Sequence, residues 1–306
     1  MKFKSLPAAL TLAIIFLTTL VSCNSHEDLL VESKSMVHVN ISTFDYTQED
    51  IQSRAAASDA VSRIAFAVFD ASGNRVESIS QAKGTDSNFG TITCELDPGT
   101  YTFVAVGHRV TTADAAADVV AQITSPSLAT LPEYGITDTF SGAKTLEVKP
   151  QTDIDLALTL PRIVTLFSLY TLDPVPSNVS SMTLEFNPTS EYSLSDTDPK
   201  VFASFNPTTG LATQKWHHSV TLDATSFHGK SSAYFNYNTL LTADEQNIDI
   251  TITAYDSEGT EVLSRTLTAP MKRNRKTTAQ GRFFSASLDQ ALQFNNTWLE
   301  ELIVDF

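Results

Sequence analysis

The run Asn247-Ile248-Asp249-Ile250-Thr251-Ile252-Thr253-Ala254-Tyr255-Asp256-Ser257-Glu258-Gly259 decides the fold class. Isoleucine at every second position lines one face of an extended chain, because successive residues of a strand point to opposite faces. The Ser257-Glu258-Gly259 signal favours a tight reversal into an antiparallel neighbour. The same period of two recurs in Val37/Val39/Ile41, Ile64/Phe66/Val68, Ile92/Cys94/Leu96, Ile154/Leu156/Leu158 and Met182/Leu184/Phe186. Further turn signals stand at Ser72-Gly73-Asn74 and Asp97-Pro98-Gly99. Each set is expected to put one face into a core, and hairpins and meanders to join them. Helical pattern is confined to about Ala113 to Ile123 and a short polar turn near Thr242 to Gln246, so a parallel βαβ architecture lacks its crossover helices.

The chain of 306 residues is about twice the usual domain size. The pattern breaks at Leu160-Pro161-Arg162, after the Ile154 set and before strands resume at Ile163, which places a boundary at roughly 158 to 162. The expectation is two β-sandwich domains in tandem, residues 23–160 and 161–306. With 35 Asp and Glu against 20 Lys and Arg, the net charge of -15 repels phosphate backbones, so nucleic acid is excluded as a partner. At 42% hydrophobic and 18% charged residues, with 11 Gly and 12 Pro, the composition also excludes disordered, collagen-like and multi-span membrane chains. Two cysteines provide no disulfide framework; Cys94 alternates with Ile92 and Leu96 as a core residue does, with no flanking cation to make its thiol reactive.

Residues 1–22 run from Lys2 and Lys4 through an apolar stretch, Leu6 to Val21, to Leu20-Val21-Ser22-Cys23. This resembles a bacterial lipobox, which implies signal-peptide cleavage between Ser22 and Cys23 and a lipid on the Cys23 thiol. The alternatives are an ordinary signal peptide or a single anchor helix, although the apolar run is shorter than the ~20 residues a spanning helix needs.

Two further stretches carry a family resemblance. Pro270-Met271-Lys272-Arg273-Asn274-Arg275-Lys276-Thr277-Thr278-Ala279-Gln280-Gly281 resembles the P-x-K-R-N-x-x-T-x-x-x-G signature of Bacteroidetes fimbrillins. Leu160-Pro161-Arg162-Ile163-Val164, followed by Asp173-Pro174-Val175-Pro176, resembles the opening of the second domain of FimA-like and FimB-like subunits. Val61 to Asp70 and Leu96-Asp97-Pro98-Gly99-Thr100-Tyr101-Thr102-Phe103 are similar to the transthyretin-like sandwich of the same proteins. The resemblance implies an all-β protein of two transthyretin-like, Greek-key sandwiches, exported as an outer-membrane lipoprotein and carried in fimbriae on the cell surface. Its implied partners are other pilus subunits, the outer membrane through the Cys23 lipid, and a host or bacterial surface ligand.

Fimbrillins of this type are matured by an arginine-specific protease that removes the lipidated N-terminal strand. Arg54-Ala55, in the polar segment between the Val37 and Ile64 strands, occupies the matching place; the alternative is an uncut loop arginine. A strand donated by a neighbouring subunit would fill the vacated position. Thr297 to Phe306 has the pattern for it, with Trp298, Leu302, Val304 and Phe306 on one face; it is otherwise the last strand of its own domain, with penultimate strands as donor. A runner-up function is a permanently lipidated anchor or surface lipoprotein that binds glycan or host protein through exposed aromatics, Trp216, Tyr234 and Tyr237.

Other chemistry is weaker. His217 and His218 point to opposite faces of a strand, and no spacing completes a metal set. Lys272, Arg273, Arg275 and Lys276 read as an ion-pairing edge. Asp153/Asp155 and Glu300/Glu301 do not form a carboxylate pair across a cleft. With no phosphate loop, G-x-S-x-G or H-E-x-x-H, the expectation is no catalytic residue, no cofactor and no enzyme.

Overall fold

The computed structural model describes residues 33–41, 44–45, 61–110, 119–132, 136–194, 202–285 and 292–295. The first half contributes β1 (Ser35–Asn40), β2 (Phe44–Asp45), β3 (Arg63–Asp70), β4 (Arg75–Ala82), β5 (Thr91–Leu96), β6 (Gly99–His108), β7 (Gln122–Ser125), β8 (Leu128–Thr130), β9 (Thr139–Val148), β10 (Ile154–Ala157) and β11 (Leu160–Pro161). The second contributes β12 (Val164–Thr171), β13 (Ser181–Phe186), β14 (Ser204–Asn206), β15 (Leu211–Ala212), β16 (His218–Asp223), β17 (Ala233–Leu240), β18 (Glu245–Tyr255), β19 (Glu261–Lys272), β20 (Lys276–Gly281) and β21 (Leu292–Asn295). Every alternating set read from the sequence falls on one of these strands, Ile41 and Leu158 lying one residue past the ends of β1 and β10, and the fold is all-β.

In the first half, the sheet β10-β1-β5 packs on the sheet β4-β3-β6-β9. Val37, Val39, Ile92, Cys94 and Leu96 from one meet Ile64, Phe66, Phe103 and Ala105 from the other. In the second half, β17-β12-β20-β21 packs on β16-β13-β18-β19 around Phe167, Leu169, Met182, Leu184, Phe186 and Ile248, Ile250 and Ile252. Both sandwiches contain the same five-residue hairpin. Asp70 Oδ1 accepts the amides of Ser72 and Asn74, as Asp256 Oδ1 accepts those of Glu258 and Thr260, and Gly73 and Gly259 take positive φ.

Three expectations are corrected. First, the strands do not join only as hairpins and meanders: β1 pairs with β10, β2 with β11 and β12 with β20 in parallel. Parallel partners must be distant in sequence, so local turn signals cannot announce them. Second, Asp97-Pro98-Gly99 carries the chain from β5 in one sheet to β6 in the facing one, where the Tyr101 hydroxyl donates to the Asp97 carbonyl at 3.0 Å. Third, β3 buries both faces. Ile64, Phe66 and Val68 enter the first core, while Ala65, Ala67 and Phe69 enter a separate middle core with Val104, Ile123, Phe205 and Trp216. Near-continuous apolar sequence is what a strand covered on both sides needs. Of the expected helical stretch, residues 119–123 lead into and begin β7, the earlier part lying outside the described residues. The polar turn near Thr242 is a bend in which Gln246 Oε1 accepts from the Thr242 amide and hydroxyl.

The middle core is built by both halves. A four-stranded sheet, β15-β14-β8-β7, joins the β7–β8 hairpin to the β14–β15 hairpin through Phe205↔Ala129, and its apolar residues cover the outer side of β3 and β6. Arg162 clamps Asp138 with two bonds of 2.7 and 3.0 Å, and Ser141 Oγ donates to the Pro207 carbonyl at 2.9 Å. At Gly210, with φ +73, an added Cβ would lie 2.5 Å from Ile163 Cγ2 and 2.8 Å from Arg273 Nη1. Gly210→Ala is therefore expected to lower stability by about 2 kcal/mol, since it combines a left-handed backbone with overpacking. A urea midpoint equal to that of the unmodified chain would contradict this close approach.

Candidate functional site

The feature that departs from ordinary sandwich construction is the position of β1. It is the first described strand, yet it is central in its sheet, parallel to β10 on one side and antiparallel to β5 on the other. Val37 opposes Ile154 and Cys94, and Val39 opposes Leu156 and Ile92, so both neighbours present apolar side chains in the same rows. Val37, Val39 and Ile41 are fully buried, whereas Met36, His38 and Asn40 are exposed. The entrance is pinned by Ser35, whose hydroxyl donates to the Lys149 carbonyl at 2.6 Å and accepts the Thr152 amide at 3.0 Å. At the exit, the Ile41 amide donates to the Gly90 carbonyl at 2.7 Å and the Leu158 amide to the Asn40 carbonyl at 3.0 Å. Withdrawing β1 would strip the ladders of β5 and β10 together and open the first core between them. Its three core side chains alone represent about 5 to 9 kcal/mol of burial.

Cys94 lies beside β1, opposite Val37, nearly inaccessible and with no disulfide partner among the described residues. Burial pushes its thiol up to about 11, helped by the charge of Glu77. It is inert core.

The fimbrillin-like signature forms a corner between two sheets. It carries the chain from β19 in one sheet to β20 in the facing sheet, turning at Asn274 with φ 54. Lys272 pairs with Glu245, Arg273 with Asp244 at 2.6 Å, and Arg273 also donates to the Thr209 carbonyl. The buried Thr277 hydroxyl donates to the Pro270 carbonyl at 2.9 Å. Lys272 and Arg273 are thus occupied in ion pairs.

Other sequence-selected residues are dispersed. His217 Nε2 lies 2.8 Å from Glu185 Oε1, while His218 is buried against the Phe186 ring. Asp153 and Asp155 are exposed. The aromatic set is corrected: Trp216 is buried in the middle core with its indole N–H directed at the Ser204 carbonyl, and Tyr237 packs inward on Phe186 and His218. Only Tyr234 of the three stands on an outer face. Ser22, Cys23, Arg54, Ala55, Trp298, Leu302, Val304, Phe306 and the Glu300/Glu301 pair lie outside the described residues.

A model of the family of unknown function DUF6562 matches residues 32–305, from just before β1 almost to the end of the chain. The chain belongs to the DUF6562 family. A comparison with curated proteins gives no match. Among solved structures, the DUF6562 chain is similar to a candidate polysaccharide-binding protein (DUF1812) of Bacteroides thetaiotaomicron, at 11% identity over 86% of this chain and 96% of that one, TM-score 0.50. A candidate adhesin of Bacteroides ovatus is similar at 11% identity over 82% of this chain and 88% of that one, TM-score 0.50. The fimbrial anchor protein Mfa2 of Porphyromonas gingivalis is similar at 13% identity over 86% and 98% of the two chains, TM-score 0.46. At 11% identity and a TM-score of 0.50 with each of the first two, the DUF6562 chain shares a fold with those proteins.

Proposed function

We propose that this DUF6562 protein is a fimbrial or adhesin-like subunit of the cell surface, a lipoprotein acylated on Cys23 that assembles when β1 is exchanged for a strand of a neighbouring subunit. The observation that carries the reading is that β1, which precedes Arg54 in the chain, is central in its sheet and buries Val37, Val39 and Ile41 completely. A cut after Arg54 would release β1 and β2 together, because both precede it in the chain. The vacated slot accepts a strand that runs parallel to β10, antiparallel to β5, and places apolar side chains where Val37, Val39 and Ile41 stood. Trp298, Leu302, Val304 and Phe306 have the required alternation. The description of one fold relative as a candidate adhesin agrees with a surface role. The reading is non-enzymatic and requires no cofactor.

Arg54→Ala, expressed in cells that assemble the polymer, is expected to trap a lipidated monomer with β1 in place. Detergent-resistant ladders formed by this variant with its N-terminus still at Cys23 would overturn strand exchange. A permanently lipidated anchor is the second reading, favoured by the completeness of the first sandwich while β1 remains. It predicts that the unmodified protein itself never loses Cys23 and never forms ladders.

A further inference from the structure

The strands β17, β12 and β20 differ in chemistry from those of the facing sheet. None of the 35 Asp and Glu lies on these three strands, while the facing sheet carries Glu185, Asp223, Glu245, Asp249 and Glu261. Phe167, Leu169 and Phe235 alternate into the second core, so Ser168, Tyr170, Tyr234 and Asn236 are directed away from it. Val164 and Leu240, at one end of this outer face, are covered by the middle core. Beyond them three register rows follow: Asn238, Leu166 and Lys276, then Asn236, Ser168 and Thr278, then Tyr234, Tyr170 and Gln280, the last two rows carrying no charge.

The tyrosines form a parallel pair with ring centroids 4.3 Å apart and planes 9° from each other. Because β17 is the sheet's edge strand, the side of Tyr234 turned away from Tyr170 looks over that edge. Ser168 Oγ is buried with no hydrogen-bond partner. Asn236 is exposed, and Thr278 and Gln280 are half-buried.

A sugar ring has an apolar C–H face and a rim of hydroxyls. It is matched by an aromatic plane for the first and by amides or hydroxyls that both donate and accept for the second. The absence of carboxylates on this face removes any pull on a cation, and the chain's net charge of -15 opposes an anionic polymer.

We propose that this edge of the face binds a neutral polysaccharide, one sugar stacking on the side of Tyr234 that looks over the edge, backed by Tyr170, with Asn236 of the same strand bonding its hydroxyls. The site specifies a ligand for the adhesive part of the function proposed above and rests on that reading, but not on strand exchange. The test is the mobility of the full mature chain in native gels containing yeast mannan, galactomannan, xyloglucan or dextran, with heparin in a parallel gel. At least one neutral polymer should retard the protein. Tyr234→Ala and Tyr170→Ala should each weaken that retardation at least tenfold, Tyr234→Phe by less than threefold, and Asn236→Ala by about threefold. The phenylalanine and Asn236 variants preserve the ring pair and keep the test readable if an alanine variant unfolds. Retardation by none of the four neutral polymers, by heparin alone, or unchanged in the alanine variants would overturn the site. Such a failure would leave the Arg54→Ala polymerisation result unaffected, and loss of ladders in that experiment would leave glycan retardation unaffected.

Discussion

Acidification from pH 7 to pH 5 is expected to cost the folded protein about 4 kcal/mol through two histidines, His108 and His218. Both are buried, and desolvation of the charged imidazole lowers each pKa from 6.5 to about 4. His108, the last residue of β6, accepts the Ala121 amide on Nε2 at 3.1 Å, and the guanidinium of Arg63 opposes its protonation further. His218, the first residue of β16, lies flat on Phe186 with centroids 4.8 Å apart, and its Nε2 is buried without a partner. Its Nδ1 lies 3.3 Å from the Trp216 carbonyl, and a charge on neighbouring His217 would depress it further.

The sign follows from proton uptake. Above pH 6.5 both imidazoles are neutral in folded and unfolded chains, so neither contributes to the pH dependence. Between 6.5 and about 4 the unfolded chain binds protons that the folded chain refuses, and each histidine costs about 1.4 kcal/mol per pH unit until the loss levels off below about 4. Protonated His108 could no longer accept the Ala121 amide, so the lead into β7 should loosen first. Carboxylates titrate nearby, among them Asp138, raised by burial against the opposing pull of Arg162. They remain in a His108→Gln, His218→Phe variant, which should retain less than half of the wild-type difference in urea midpoint between pH 7 and 5. A variant as acid-sensitive as the wild type would disprove the assignment.

Asp173→Asn is expected to destabilise the second sandwich by about 3 kcal/mol. The Asp173 carboxylate is nearly inaccessible and receives the amides of Phe283, Phe284 and Ser285 at 2.9, 2.8 and 2.7 Å. The Phe283 carbonyl is held from the other side by Arg265 Nε at 2.8 Å, with the guanidinium 5.7 Å from the Phe283 ring centroid. The pair grips the chain where it leaves β20. An asparagine keeps one acceptor oxygen but turns an NH₂ toward backbone donors, leaving at least one buried amide unsatisfied. Urea unfolding at pH 7 should show a lower midpoint with unchanged slope; a midpoint within experimental error of the wild type would show that the clamp contributes nothing.

Local sequence determined the strands and which of their residues face a core. Alternation in Val37/Val39/Ile41 or Ile248/Ile250/Ile252 is a property of neighbouring residues, and extended geometry converts it directly into a buried face. The Asp70 and Asp256 hairpins were legible for the same reason, since the aspartate, the glycine and their hydrogen bonds lie within five residues. Tertiary structure alone decided which strands became neighbours, because a face that must be buried does not name its partner. It set β1 beside β10, whose Ile154 pairs with Val37 from far along the chain. It buried Trp216, which by composition could equally have been a surface aromatic, because the β7–β8 and β14–β15 hairpins close over both halves. It also brought Tyr170 and Tyr234 into one row and left both faces of β3 covered. Sequence periodicity records how each residue meets its immediate neighbours, whereas these contacts arise from the free energy of closing apolar surfaces over long loops, which no local pattern encodes.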